Sequence, residues 1–222
     1  MSVFILHLET STPICSVALS KNGHLLGHLD QIGDGFIHGE SLTLMIEALL
    51  AEQEVTLSML QAISYSAGPG SYTGLRIGLS TAKGLCFALQ IPLIAIPTHQ
   101  SLLQIGLEFH GSENANIVTL LDARRMEVYF EAFDMRGANL TPLCCQIMEA
   151  NTLDSYKPCV VIGDANEKVS ALIQDAQIQY CNTPLSAKYQ SKIAFELFQV
   201  QQFEDTAYCS PIYLKGANGV LL

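Results

Sequence analysis

The sequence predicts an α/β fold in two subdomains, each a mixed β-sheet flanked by helices. Three observations carry that expectation. The first half reads as β-β-β-α-β-α-β. A strand that ends in an acid and returns as a hairpin opens the chain, "VFILHLETSTPICSVALSKNG", and the pattern recurs as "NIVTLLDARRMEVYFEAFDMRG", with Glu9 and Asp122 at equivalent places. The chain has 222 residues, 49% of them hydrophobic and 14% charged, enough to bury a sizeable core and leave apolar surface over. The subdomains are expected at 1–97 and 98–222, with the tail packing back on the first.

Each element follows from local pattern. Residues 3–8 are a short apolar run rich in β-branched and aromatic side chains, hence a buried strand that stops at the turn-forming "ETSTP". Residues 14–19 and 25–29 are strands joined through the Asn-Gly hairpin signal of "SKNGH", completing an antiparallel meander. After the glycine-bearing loop "QIGDGFIHGE" comes a helix, "SLTLMIEALLAEQ". Leu42, Met45, Ile46 and Leu49 line one side of it, and Leu44, Ala48 and Leu50 cover much of the rest. A helix apolar nearly all round needs a second cover. Residues 62–67 form a strand, "IPLIAIP" a parallel-type strand, and "HQSLLQIGLEF" a helix leading into the second half. There, strands at 159–162 and 178–180 and a helix at 187–200 precede the tail "SPIYLKG".

Between two of these strands lies "SYSAGPGSYTGLRIGLSTAKGL", a glycine turn running straight into a helix. Such turns aim backbone N–H groups at phosphate, but the known spacings fail. Gly74 is followed by Leu75 and Arg76 instead of Lys-Ser/Thr, and Gly68, Gly70 and Gly74 give GxGxxxG with Thr73 where a third glycine belongs. Close packing explains more. Gly74, Gly78 and Ala82 recur every four residues behind Gly70, making a small-residue ridge beside Tyr72, Leu75 and Leu79 that lets another helix approach. Mid-helix glycine costs about 0.5–1 kcal/mol relative to alanine, so two in one helix need a packing reason. Ser71 is the expected N-cap.

Composition and spacing also argue against several chemistries. Eleven Lys and Arg against 21 Asp and Glu give a formal charge of −10, with no basic stripe to grip a nucleic acid unaided. Seven cysteines, widely spread and without CxxC, read as small hydrophobes in a reducing compartment. HExxH and GxSxG are absent, and the six histidines (His7, His24, His28, His38, His99, His110) offer no evident base. No metal site is expected. Neither a signal sequence nor a membrane span is apparent, which points to the cytoplasm.

At "AGPGSYTGLRIG" the chain closely resembles the signature of the TsaB (YeaZ) family of bacterial threonylcarbamoyladenosine biosynthesis proteins. "ETSTPICSVAL", "HGESLTLMIEALL", "DARRMEVYFEAF" and "SPIYLKG" extend the likeness over nearly the whole chain. The resemblance implies the actin-like, sugar-kinase-like fold. It also implies a non-catalytic scaffold role: pairing with the catalytic TsaD-type subunit and with a TsaE-type ATPase, to modify the adenosine beside the anticodon of tRNA. The tRNA would be held only through the complex, and the chain alone would form homodimers. The implied interface comprises residues 41–50 and 74–85, with Gly70 and Tyr72 of the glycine signature beside them. A leucine at Gly74 or Gly78 is then expected to leave the monomer folded and to block pairing. No intrinsic cofactor is implied, although ATP or ADP at the complex boundary would meet Glu9, Thr10, Asp122 and Arg124. The alternative is an ATPase or small-molecule kinase of the same fold using Glu9 and Asp122. Against it, family members commonly begin Asp-Thr where this chain has Glu9-Thr10. The old peptidase label of the wider superfamily is a further rival and finds no support: TsaD-type chains bind a metal through two histidines one helical turn apart, and after His38 and Glu40 this chain has Leu42 where the second would be needed.

Overall fold

The first strand, β1 (Phe4–Glu9), sets the layers of the N-terminal sheet, because its side chains alternate between two covered faces. The computed structural model describes residues 2–32, 38–109 and 114–215; most of the loop before the first helix (33–37), His110 and Gly216 of the tail signature lie outside the described residues. Leu6 and Leu8 join one core cluster, while Ile5 joins another on the opposite face. Beside β1 run β2 (Ile14–Lys21), β3 (His24–Ile32), β4 (Leu60–Gly68) and β5 (Leu93–Pro97), in the order β3-β2-β1-β4-β5. The β1–β2 and β2–β3 pairs are antiparallel; the β1–β4 and β4–β5 pairs are parallel. Asn22 and Gly23 both take positive φ, 53° and 79°, as the Asn-Gly hairpin signal requires.

Helices α1 (His38–Glu52) and α2 (Tyr72–Leu89) cover the Leu6/Leu8 face. Ser71 caps α2, its side chain accepting from Gly74 N at 3.2 Å. After α3 (Thr98–Glu108) comes a second sheet: β6 (Asn116–Asp122), β7 (Glu127–Phe133), β8 (Asn139–Ile147), β9 (Cys159–Ile162) and β10 (Ile178–Cys181). Its order, read from the other edge, is β8-β7-β6-β9-β10, with β6–β7 and β7–β8 antiparallel and β6–β9 and β9–β10 parallel. The two sheets therefore share one topology. Glu9 is the last residue of the first strand in one, and Asp122 holds that place in the other.

The remaining helices are α4 (Asn166–Leu172) and α5 (Ser191–Gln199), the latter preceded by a 3-10 turn at Ala187–Gln190. Two units result. One runs to Thr98 and resumes at Ser186–Ile212; the other comprises His99–Leu185 and resumes at Tyr213. This corrects the expected second boundary, since residues 186–212 belong to the first unit while the tail from Tyr213 belongs to the second. The cause is the apolar side of α5, whose Ala194 is fully buried on Ile5, Ala62, Ile94 and Ile96 with Ile193 and Leu197 beside it. No helix among the described residues is long and apolar enough to cross a membrane.

Candidate functional site

The predicted interface residues of α1 and α2 mostly face inward. Leu42, Met45, Ile46 and Leu49 of α1 are buried, as are Gly74, Leu75, Gly78, Leu79 and Ala82 of α2; Gly70 and Tyr72 are half-buried. The glycine ridge is covered by the turn between β1 and β2. Thr10 Oγ1 donates to Gly74 O at 2.8 Å, and Ser71 N donates to Ser11 O at 2.7 Å. A Cβ on Gly74 would stand 2.0 Å from Thr10 O, one on Gly78 2.3 Å from Thr10 Oγ1, and one on Gly70 2.5 Å from Ser11 O. Close packing is therefore the reason for these glycines, but the thing packed is a turn of the same chain. The expectation that a leucine at Gly74 or Gly78 would leave the monomer folded is corrected on that ground.

The other sides of the same two helices form a surface. Leu44 of α1 is 65% exposed and Phe87 of α2 is 76% exposed. Between the helices lies a groove of about 330 Å³ bordered by Thr43, Glu47, Leu57, Ser80 and Leu85, with Gly84 open to it. A Cβ at Gly84 would meet nothing within 4 Å. Ser80, Gly84 and Ala88 make a second small-residue row, exposed and again spaced by four. The spacing of this row is as readable in the sequence as that of the Gly70–Ala82 ridge, which leaves Gly84 unexplained.

Glu9 sits in the interior, fully buried. Its face of the first sheet carries polar side chains: His7 and Glu9 on β1, Ser16 and Ser20 on β2, Ser64 and Ser66 on β4. Glu9 Oε1 accepts from Ser11 N at 2.8 Å and from Ser11 Oγ at 2.5 Å, and Oε2 accepts from Ser66 Oγ. Gln190 Nε2 donates to Ser66 Oγ at 3.2 Å and to Leu8 O at 3.0 Å, while its Oε1 accepts from Ser64 Oγ at 2.7 Å. Because Ser64 donates onward, His7 Nδ1 is the donor to it at 2.7 Å, and Nε2 accepts from Ser20 Oγ at 2.8 Å. Burial raises the Glu9 carboxyl above its ordinary range, against the lowering effect of the Ser11 and Ser66 bonds. Burial also pushes His7 down to about 3.

The equivalent turn of the second sheet is open. Asp122 and Arg124 are exposed. Asp122 Oδ1 accepts from Arg124 N at 2.6 Å and from Lys168 Nζ at 2.8 Å. Arg124 and Arg125 both take positive φ, 70° and 53°, a pairing that hairpins usually assign to Asn-Gly. A left-handed L-residue costs roughly 1–2 kcal/mol, so this turn is strained twice. The nucleotide candidates thus divide: Glu9 and Thr10 are sealed in the first unit, and Asp122 and Arg124 stand at a solvent-facing turn of the second. Among the described residues no three His, Cys, Asp or Glu side chains gather as a metal site.

Residues 37–197 match a family model described as "TsaD: tRNA N6-adenosine threonylcarbamoyltransferase". The chain belongs to this family. A relative by sequence is "tRNA threonylcarbamoyladenosine biosynthesis protein TsaB" of Haemophilus influenzae, 37% identical over 126 residues, which are 57% of this chain and 52% of that protein. The chain spans about half the length of the curated relatives it matches. Among solved structures, YeaZ from Pseudomonas aeruginosa is similar with TM-score 0.82 and 28% identity, covering 96% of this chain and 100% of that one. A second, described as an uncharacterized protein with similarity to peptidase YeaZ from Pseudomonas aeruginosa, has TM-score 0.78 and 26% identity over the same shares. The resemblance to TsaB and YeaZ proteins read from the glycine signature holds. So does the fold it implies, the actin-like, sugar-kinase-like arrangement of two mixed sheets flanked by helices.

Proposed function

We propose that this chain is the non-catalytic subunit of a tRNA N6-threonylcarbamoyladenosine transferase, docking onto a TsaD-type catalytic subunit by the outward face of α1 and α2. One observation carries the reading. The two helices close their own core, yet Leu44 and Phe87 stay exposed to solvent and a groove with Gly84 open to it runs between the helices. Large apolar side chains left exposed on the helices that wall a groove suit an interaction site, and small residues such as Ser80 and Gly84 at its border admit a helix closely. A catalytic subunit of the same family fold brings an equivalent helix pair to meet it.

The rest of the reading follows from charge and burial. With a formal charge of −10 the chain does not hold tRNA by itself, so tRNA joins through the assembly. A TsaE-type ATPase and a cytoplasmic setting are added by the family resemblance. Alone, the chain pairs with a second copy by the same face. Any ATP or ADP belongs to the boundary with the catalytic partner. The rival kinase reading needs Glu9 to reach a metal or phosphate, and both its carboxylate oxygens are occupied inside the protein. The peptidase reading has no HExxH or GxSxG in the chain to support it.

The test is tRNA modification by TsaD-type and TsaE-type proteins with and without this chain. Modification that requires the chain, and survives Glu9→Gln, is the expected result. Modification independent of the chain contradicts the proposal.

A further inference from the structure

We infer that the Arg124–Arg125 turn between β6 and β7 contacts phosphodiester oxygens of an RNA, and is this chain's own contribution to holding the substrate of the proposed assembly. The choice of RNA rests on that proposed function. The geometry of the turn does not.

The first hairpin turns of the two sheets hold one topological place and have opposite surroundings. In the first, Thr10 and Ser11 lie beneath the 18-residue α2, whose glycines admit them, and Glu9 is sealed. In the second, the strand β9 leads into a helix of only seven residues, α4, and Asp122, Arg124, Arg125 and Met126 are exposed. A turn that no longer serves to pack is free to meet a ligand.

Its polar groups are arranged to leave the guanidiniums outward. Lys168 Nζ donates to Asp122 Oδ1 at 2.8 Å, to Arg125 O at 2.9 Å and to Glu127 O at 2.7 Å. Lys215 Nζ donates to Ala123 O at 3.1 Å and to Glu127 Oε2 at 2.6 Å. Asp164 Oδ1 accepts from Asp122 N at 2.8 Å. The two lysines therefore neutralise the turn's carboxylates and tie down three of its carbonyls. Neither arginine takes part in an ion pair among the described residues. Four cations stand against three carboxylates here, on a chain that is strongly acidic overall. Two adjacent left-handed residues hold the guanidiniums at the tip of the hairpin, and a guanidinium fork matches two phosphate oxygens at once.

The experiment measures binding of an unmodified tRNA transcript between 50 and 200 mM salt, by the complete chain alone and by its assembly with a TsaD-type subunit. The wild type is compared with Arg124→Gln/Arg125→Gln and Arg124→Lys/Arg125→Lys. Each phosphate contact contributes about 0.7–0.9 to the slope of log K against log salt, so the glutamine variant is expected to lose about 1.4–1.8 of slope in at least one format, and the lysine variant to keep it. Equal slopes for wild type and glutamine variant in both formats overturn the inference. So does binding of ATP or of a polyglutamate peptide that depends on both arginines while tRNA binding does not. A chain that fails to pair with the TsaD-type subunit, yet shows the slope loss alone, refutes the proposed function and leaves this inference standing; normal pairing with equal slopes does the reverse.

Discussion

Thr10 and Gly74 meet so closely that no side chain fits between them: Thr10 Oγ1 donates to Gly74 O at 2.8 Å, and a Cβ on Gly74 would lie 2.0 Å from Thr10 O. The helix that follows the glycine turn is thereby bolted to the turn that follows the buried carboxylate.

Gly74→Ala must move backbone, and is expected to destabilise the chain by about 3 kcal/mol or more. Gly78→Ala meets a threonine hydroxyl, which can rotate at the expense of its hydrogen bond, and should cost about 1–2 kcal/mol. Gly84→Ala meets nothing and should stabilise by about 0.5–1 kcal/mol through helix propensity. Urea denaturation of the three variants checks the order; equal effects at Gly74 and Gly84 would refute it.

Glu9 gives stability a definite pH slope. Its folded pKa is raised by burial, so the unfolded chain ionises first as pH climbs above about 4.5, and stability falls until the folded carboxyl ionises too. Glu9→Gln is expected to flatten this part of the stability curve. Glu9→Ala leaves the donors of Ser11 unpaired and should cost about 1–3 kcal/mol at any pH.

The buried histidines act in the opposite direction. His7 and His99 are each held near 3 by burial, against an ordinary 6.5, so they are neutral when folded and protonated when unfolded below that value. The stability they contribute is present at neutral pH and lost on acidification, by about 2 kcal/mol each at pH 5. In the variant His7→Gln the difference between unfolding free energies at pH 7 and pH 5 should shrink by about that amount.

The strained turn yields a stability prediction of its own. Replacing Arg124 and Arg125 by Asn and Gly, the pair found at the β2–β3 hairpin, should raise unfolding free energy by about 1–2 kcal/mol. A loss of stability on that change would mean that the arginines are held in place by more than the fold.

Much of the architecture could be read from pattern because the signals were local. The Asn22-Gly23 hairpin, the strand at Cys159–Ile162 and the duplicated opening all depend on neighbours in sequence. The edge strand β8 has no plain signature in the sequence, because Pro142 interrupts it at a place where the pairing with β7 shifts register. Helix α4 is too short for a period to declare itself. The site was legible only in part. The four-residue spacing announced that something lies close to α2, but whether a turn, a helix or another molecule is the neighbour depends on contacts far apart in the chain. Likewise Leu42 and Leu44 are equally apolar on paper, and only the position of the sheet decides that one is 1% and the other 65% exposed.

The outward face of α1 and α2 is the centre of the account, and sedimentation of this chain mixed with the TsaD-type subunit of the same organism tests it most directly. The wild type should move with its partner as one complex. Leu44→Glu and Gly84→Trp, which alter exposed positions and should change stability little, should leave the two proteins sedimenting apart. Separate boundaries for the wild type, or undiminished association of both variants, would contradict the account.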